Sequence, residues 1–317
     1  MPVFLNKRVL SDGILLLLLT VCGAGLLFCS EAVSAVVVQT VELCIGILLP
    51  SLFPFFILSS FLISTGIVQR TAPRLDGLTH WLFGLPGGCS AAILLGAIGG
   101  YPVGAKTVSE LYSKGVCTKK DALQVLRFCN NAGPAFLIGS LGAGILCNKQ
   151  MGILLYSLHL ISAILIGLIF QNNKGDIKAY SITDCYYEKK SLPVCFLQSV
   201  TGSFSSFLNV CAFVLLFSVI ICLLDQLSFI AQLAPVCSGL LYGMLELTSG
   251  TMSLASATLP KRFLLPALSF LCGWGGLSVQ LQAISFLQEA GLPFREYLCF
   301  KLLHGTLAAL LTIVLCC

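Results

Sequence analysis

The chain has 317 residues, 57% of them hydrophobic and 10% charged, with a formal net charge of +5 and a mean hydropathy of +0.97. An ordinary soluble domain carries about 25% charged residues, so this composition excludes a soluble globular protein and points to a chain that crosses a membrane several times. The small positive excess does not mark a nucleic-acid partner, because the Lys and Arg residues sit in short loops between apolar runs.

A bilayer core of roughly 30 Å takes about 20 apolar residues per helical crossing. Apolar runs over 13–30, 36–66, 81–111, 123–147, 151–170, 196–224, 232–257, 263–287 and 298–317 therefore predict an all-α polytopic membrane protein of about seven to nine membrane segments. The first run follows Lys7 and Arg8 like a signal peptide, but no A-x-A cleavage site follows, so it reads as a retained span. The sixteen cysteines show no CxxC and lie mostly inside apolar runs, where they act as small hydrophobes.

Several segments are interrupted: by Pro50 and Pro54, by Gly99, Gly100 and Pro102, by "NNAGP" at 130–134, by "ELTSG" at 246–250, and by "GWGG" at 273–276. Helices break at membrane depth only where the freed backbone groups face protein or a water-filled cavity. Such breaks point to a solute site. The run 81–111 is too short for two crossings, and one crossing would put Arg70 and Arg74 opposite Lys114, Lys119 and Lys120. A re-entrant hairpin with its tip at Gly99 and Gly100 keeps all five on one face, with Lys7, Arg8, Lys174, Lys178, Lys189, Lys190, Lys261 and Arg262, leaving Lys149 outside. The positive-inside rule makes that face, and the N-terminus, cytoplasmic.

The stretch from Gly99 to Leu126 aligns without gaps on the stretch from Gly275 to Leu302, with Gly99, Gly100, Val103, Ser109 and Gly115 recurring as Gly275, Gly276, Val279, Ser285 and Gly291. This predicts two related repeats, inverted with respect to one another, after an N-terminal span (1–35): a first repeat over 36–170, a cytoplasmic loop over 171–195, and a second repeat over 196–317. In secondary transporters of this design the solute lies where the repeats meet.

The candidate solute-binding residues are the polar and helix-breaking ones in these segments: Gly99, Gly100, Tyr101, Pro102, Lys106, Asn130, Asn131, Pro134, Glu246, Thr248, Ser249, Gln280 and Gln282. A charge at membrane depth costs several kcal/mol, so Lys106 reads either as an i,i+4 partner of Glu110 or as a cation facing solute. The Asn pair reads either as helix caps or as solute ligands, and Glu246 either as a hydrogen-bonded buried acid or as a proton or coupling-ion site. Gln280 and Gln282 fall, in the repeat alignment, on Gly104 and Lys106. Lys301, His159 and His304 have weaker claims. The expectation is one solute cavity shared by Lys106, Asn130, Asn131 and Glu246. With no phosphate cradle, paired metal-ligand cluster or nucleophile triad, neither an enzyme nor a cofactor is expected.

"LPSLFPFFILSSFL", "GYPVGAKTVSELYSKG", "FCNNAGPAFLIG" and, less closely, "LELTSG" resemble the sporulation integral membrane proteins of the YlbJ type, which carry the nucleoside-recognition or Gate domain. The resemblance covers nearly the whole chain. It implies a multi-pass cell-membrane protein of spore-forming bacteria, needed for spore cortex formation, on a scaffold shared with nucleoside and ferrous iron transporters. The partners it implies are the lipid bilayer and an unidentified small solute, with a homo-oligomer compatible. A non-transporting membrane scaffold of the sporulating cell is the alternative.

Overall fold

A computed structural model describes residues 7–171, 191–257 and 259–316. The predicted loop cations Lys174, Lys178, Lys189 and Lys190 lie outside the described residues. Helices account for almost all of what is described, and the fold is that of an all-α polytopic membrane protein. By length and composition Ser30–Leu48, Lys149–Ile169, Leu192–Asp225, Lys261–Glu289 and Arg295–Cys316 can each cross a membrane, and the bent pair Leu52–Ser64 and Ile67–Phe83 is a further candidate.

α1 (Lys7–Phe28) leads to α2 (Ser30–Leu43), which passes through a π-helical stretch, Cys44–Leu48, into α3 (Leu49–Ser64). After α3 the chain turns by 87° into α4 (Ile67–Phe83). α4 carries Arg70, Arg74, Asp76 and His80 beside exposed Leu78 and Trp81, the pattern of a helix lying in the membrane interface.

The predicted re-entrant hairpin is present. α5 (Ser90–Gly99) and α6 (Val103–Ser113) fold back on each other, Gly96 against Gly104. The ends of the hairpin meet where Gly88 lies against Val116, and at its tip Gly100 takes φ +81°, which disfavours any side chain. α7 (Lys119–Cys129) starts at a capping box in which Thr118 and Asp121 satisfy each other's backbone N–H. It breaks over 130–134 and resumes as a π-helical stretch, Ala135–Ile145, followed by α8 (Lys149–Ile169).

The second half opens with α9 (Leu192–Asp225) and a single turn, α10 (Ser228–Ala231). The segment predicted as a crossing over 232–257 is instead a second hairpin, of α11 (Pro235–Leu245) and α12 (Leu247–Ser256), with Glu246 at its tip. Its arms touch through Gly243 and Gly250, so closely that a Cβ on Gly250 would fall 2.0 Å from the Cα of Gly243. α13 (Lys261–Trp274) and α14 (Gly276–Glu289) then form one span broken at Gly275, and α15 (Arg295–Cys316) closes the fold.

This arrangement corrects two expectations. First, the sequence alignment pairs a hairpin arm with a straight broken span, so it joins elements that are not equivalent. By architecture each half runs hairpin, broken span, span: Gly99–Pro102 corresponds to the Glu246 tip, and the break at 130–134 to Gly275. Gln280 and Gln282 are therefore not the counterparts of Gly104 and Lys106. Second, α13 runs antiparallel to α15, with Gly273 on Gly305 and Ser269 bonded to Thr312. Leu259, Leu264 and Cys316 thus cluster with Leu146 and Met151. Lys261 and Arg262 share the face of Lys149, opposite Arg74 and Lys120, because the segment before them folds back instead of crossing.

The halves are inverted. α8 and α15 pack antiparallel, through Phe170 on Phe300 and His159 on His304. The hairpins enter from opposite faces and their tips approach mid-molecule, each seated on the break of the following span: Gly100 on Gly133, and Glu246 and Leu247 on Gly276.

Candidate functional site

A cavity of about 100 Å³ lies where the two tips meet. Its wall includes Gly99, Gly100 and Tyr101 of the first hairpin, Glu246 and Thr248 of the second, and Gln282 of α14. At about 30 Å³ per water this is room for a few waters.

Glu246 is 4% exposed and caps α12. One carboxylate oxygen accepts from Thr248 N at 3.0 Å, and the other from Ser249 N at 2.7 Å and Ser249 Oγ at 2.9 Å. The cap satisfies donors that the hairpin turn leaves open, and the acceptor sits at the positive end of the helix dipole. Ser249 belongs to this cap.

A second cavity of about 450 Å³ lies between α3, α6, α9 and α14. Lys106, Glu110, Lys114 and Glu289 line it together with serines, among them Ser64 and Ser199. Lys106, 5% exposed, donates to Glu110 Oε1 and to Ser60 Oγ, both at 2.5 Å, and lies over the Phe56 ring. The i,i+4 reading of Lys106 therefore holds geometrically, with Ser60 of α3 as a further acceptor.

The two cavities lie in series along the same helices. On α3 the wall passes from Leu52 at the central cavity to Ser60 and Ser64 at the outer one. On α9 it passes from Val214 and Val210 to Ser206 and Ser199, and on α14 from Val279 and Gln282 to Phe286 and Glu289. Between them lie buried Phe56, Val103 and Phe207, which pack in one cluster, and a hydrogen bond from Asn209 Nδ2 to Ser285 Oγ of 2.6 Å. The outer cavity opens among the ends of α3, α6 and α14 and the start of α9, on the face of Lys114, Lys119 and Lys120.

The Asn pair lines neither cavity, so the expected single shared site is not what the fold builds. Asn130 Oδ1 accepts from Ala105 N at 3.2 Å and its Nδ2 donates to Tyr297 Oη at 2.8 Å. Asn131 Nδ2 donates to Phe128 O at 2.9 Å, while its Oδ1 is buried without a partner. Gln280 Nε2 donates to Trp274 O, the carbonyl freed at the Gly275 break, and Gln282 Nε2 to Ser278 Oγ at 3.2 Å. Pro102 and Pro134 precede α6 and the π-helical stretch without lining either cavity.

The residues that sequence reasoning ranked too low form a buried hub. Lys301 of α15, 1% exposed, donates to Asn130 O at 2.8 Å and Tyr101 Oη at 2.9 Å, and contacts His304 Nδ1 at 3.2 Å. Tyr101 Oη donates in turn to Cys272 O at 2.8 Å. His304 Nε2 lies 3.0 Å from His159 O, and His159 Nε2 accepts from Ala132 N at 3.0 Å. The signal was available: a Lys and a His three apart in an apolar span share a helix face. Arg127 pairs with Glu296 at 2.6 Å and lies over Phe300, tying α7 to the start of α15.

Two hairpins of opposite orientation seated on two broken spans, around a central cavity, define an all-α polytopic membrane protein. Residues 45–170 match the family Gate, described as nucleoside recognition; the match runs from the π-helical stretch before α3 to the end of α8. The chain is also 29% identical over 301 residues to the sporulation integral membrane protein YlbJ of Bacillus subtilis (strain 168), an alignment covering 85% of this chain and 74% of that protein. No solved structure matches. The likeness carried by the sequence motifs is thus present in both the family and the relative.

Proposed function

We propose that this chain is a multi-pass cell-membrane protein of sporulation, acting in spore cortex formation with its N-terminus in the cytoplasm, and that it binds and moves a small polar solute. The observation that carries the reading is the pair of cavities in series, separated by the layer of Phe56, Val103 and Phe207. The outer cavity is within the range of small-molecule pockets, about 300–1,000 Å³, and opens on the face richer in Lys and Arg, which the positive-inside rule assigns to the cytoplasm. The central cavity is smaller and needs a hairpin to move before it admits such a solute. On this reading the chain is neither an enzyme nor dependent on a cofactor.

The purified protein in liposomes, challenged with a panel of nucleosides, cell-wall precursors and metal ions, tests the proposal. Uptake of one class, lost when Phe207→Trp fills the layer between the cavities, is the expected result. The second reading, a scaffold that transports nothing, draws on the self-satisfied hub of Lys301, Asn130 and Tyr101, since polar groups of that kind also bind helices together. Absence of uptake and of binding across the panel, with sporulation still dependent on the chain, favours it.

A further inference from the structure

We infer that Lys301 is a proton-binding site whose loaded form locks the first hairpin to the second half of the molecule. The geometry fixes the roles of its neighbours. Ala132 N donates to His159 Nε2, so that nitrogen carries no hydrogen. His159 O can only accept, so His304 Nε2 is the donor of that bond and His304 Nδ1 is left as an acceptor. Asn130 O is an acceptor, and Tyr101 Oη, already donating to Cys272 O, offers Lys301 a lone pair.

Three acceptors therefore surround Lys301, and only an ammonium has three N–H donors to give them. No ion pair to Lys301 exists among the described residues. The titratable groups on the elements packed around it are Tyr101 at the hairpin tip, Cys129 of α7, His159 of α8, Cys272 of α13, and Tyr297 and His304 of its own helix.

A neutral amine has two N–H donors and one lone pair, so loss of the proton strands one neighbour. Asn130 O and His304 Nδ1 cannot change role. Tyr101 can: its hydroxyl turns to donate to the amine and gives up Cys272 O. That bond ties the tip of the first hairpin to α13, and Tyr101 also lines the central cavity. Proton release thus loosens the hairpin from the opposite half at the point where the cavity must open. Glu246, engaged in capping α12, is not needed for this role. The inference deepens the transport reading by naming a coupling proton and its site.

The test needs no solute, so its outcome is separate from that of the transport assay. Spin labels at Leu94→Cys on α5 and Leu310→Cys on α15, both lipid-exposed positions, are placed in a chain cleared of native cysteines and reconstituted, and their distance distribution is read from about pH 6 to about pH 10. One population at low pH should give way to a second, their ratio changing by up to about tenfold per pH unit, the slope of a one-proton equilibrium. Lys301→Arg, which stays charged, should hold the first population throughout, and Lys301→Met the second. Should Lys301→Met fail to insert, Tyr101→Phe reads the same lock with the charge intact and should show the second population already at low pH. A parent distribution that does not change with pH, or a Tyr101→Phe chain that behaves as the parent, overturns the inference.

Discussion

Glu246 gives the sharpest test of how the second hairpin is held. Replacing it by Ala removes the three acceptor contacts at 2.7 to 3.0 Å that close the start of α12. Loss of an N-cap costs about 1 kcal/mol, and hydrogen bonds to a charged group contribute about 1.5–3 kcal/mol. The cap is 4% exposed to bulk solvent but lines the central cavity, whose few waters can take over part of what the carboxylate accepts. Glu246→Ala should therefore destabilise by about 1–3 kcal/mol, roughly 5- to 150-fold in the folded-to-unfolded ratio. Glu246→Gln keeps one acceptor oxygen but turns an NH2 toward the second backbone donor, so about half that loss is expected. Unfolding of the purified protein in detergent, followed by circular dichroism against added denaturing detergent, measures both. If Glu246→Ala unfolds within about 0.5 kcal/mol of the parent, below the smallest cap effect, the carboxylate is not acting as a cap. A Glu246→Gln chain of parental stability that has lost only pH-driven uptake restores the coupling-site reading.

Further outcomes follow from the packing and the topology. Gly250→Val should prevent the second hairpin from forming, because even its Cβ falls 2.0 Å from the Cα of Gly243; the variant should be absent from membranes, while Gly202→Ala, with nothing near its Cβ, should accumulate normally. Single cysteines at Arg74 and Lys120 should react alike with an impermeant thiol reagent and a cysteine at Lys261 oppositely; equal reactivity of all three removes the second hairpin. Asn131→Leu should lower abundance or melting temperature with function per molecule intact, since its amide serves Phe128 O and no cavity; loss of function at normal abundance returns it to the solute site.

The sequence announced the class of fold, the first hairpin and the breaks at 99–102, 130–134, 246 and 275, because those depend on local signals: apolar length, Gly and Pro at fixed places, and cations on either side of 81–111. Pro50 and Pro54, expected to interrupt their segment, lie instead in the first turn and the interior of a continuous α3, and the 87° bend falls after Ser64. The sequence also took 232–257 for a crossing, for a physical reason. In "GMLELTSG" the turn is made by a Glu cap and a Gly–Gly approach between the arms, and over 232–257 the apolar run is long enough to cross. The charge rule then carried Lys261 and Arg262 to the wrong face. The Lys301 hub was underrated because its partners, Tyr101, Asn130 and His159, are distant in sequence and come together only when the inverted halves interlock.

The polar residues of the apolar runs share a task that their sequence positions conceal. Each break frees backbone groups that lipid cannot satisfy, and most of the candidate side chains answer that need. Asn130 takes Ala105 N, His159 takes Ala132 N, Lys301 takes Asn130 O, Gln280 serves Trp274 O, and Glu246 takes Thr248 N and Ser249 N. What they leave at the centre is small: besides Tyr101 and Glu246, whose polar atoms are engaged in the hub and the cap, the wall offers Gln282, Thr248 and Ser140 among apolar side chains, with the backbone of the tip glycines. On the proposed transport reading, recognition there relies on shape and main-chain groups that the hairpins present only when held in register. On that same reading, a solute that binds at the tips competes with, or completes, the same hydrogen bonds that hold them, which is how a site with so few side chains of its own would drive a conformational change.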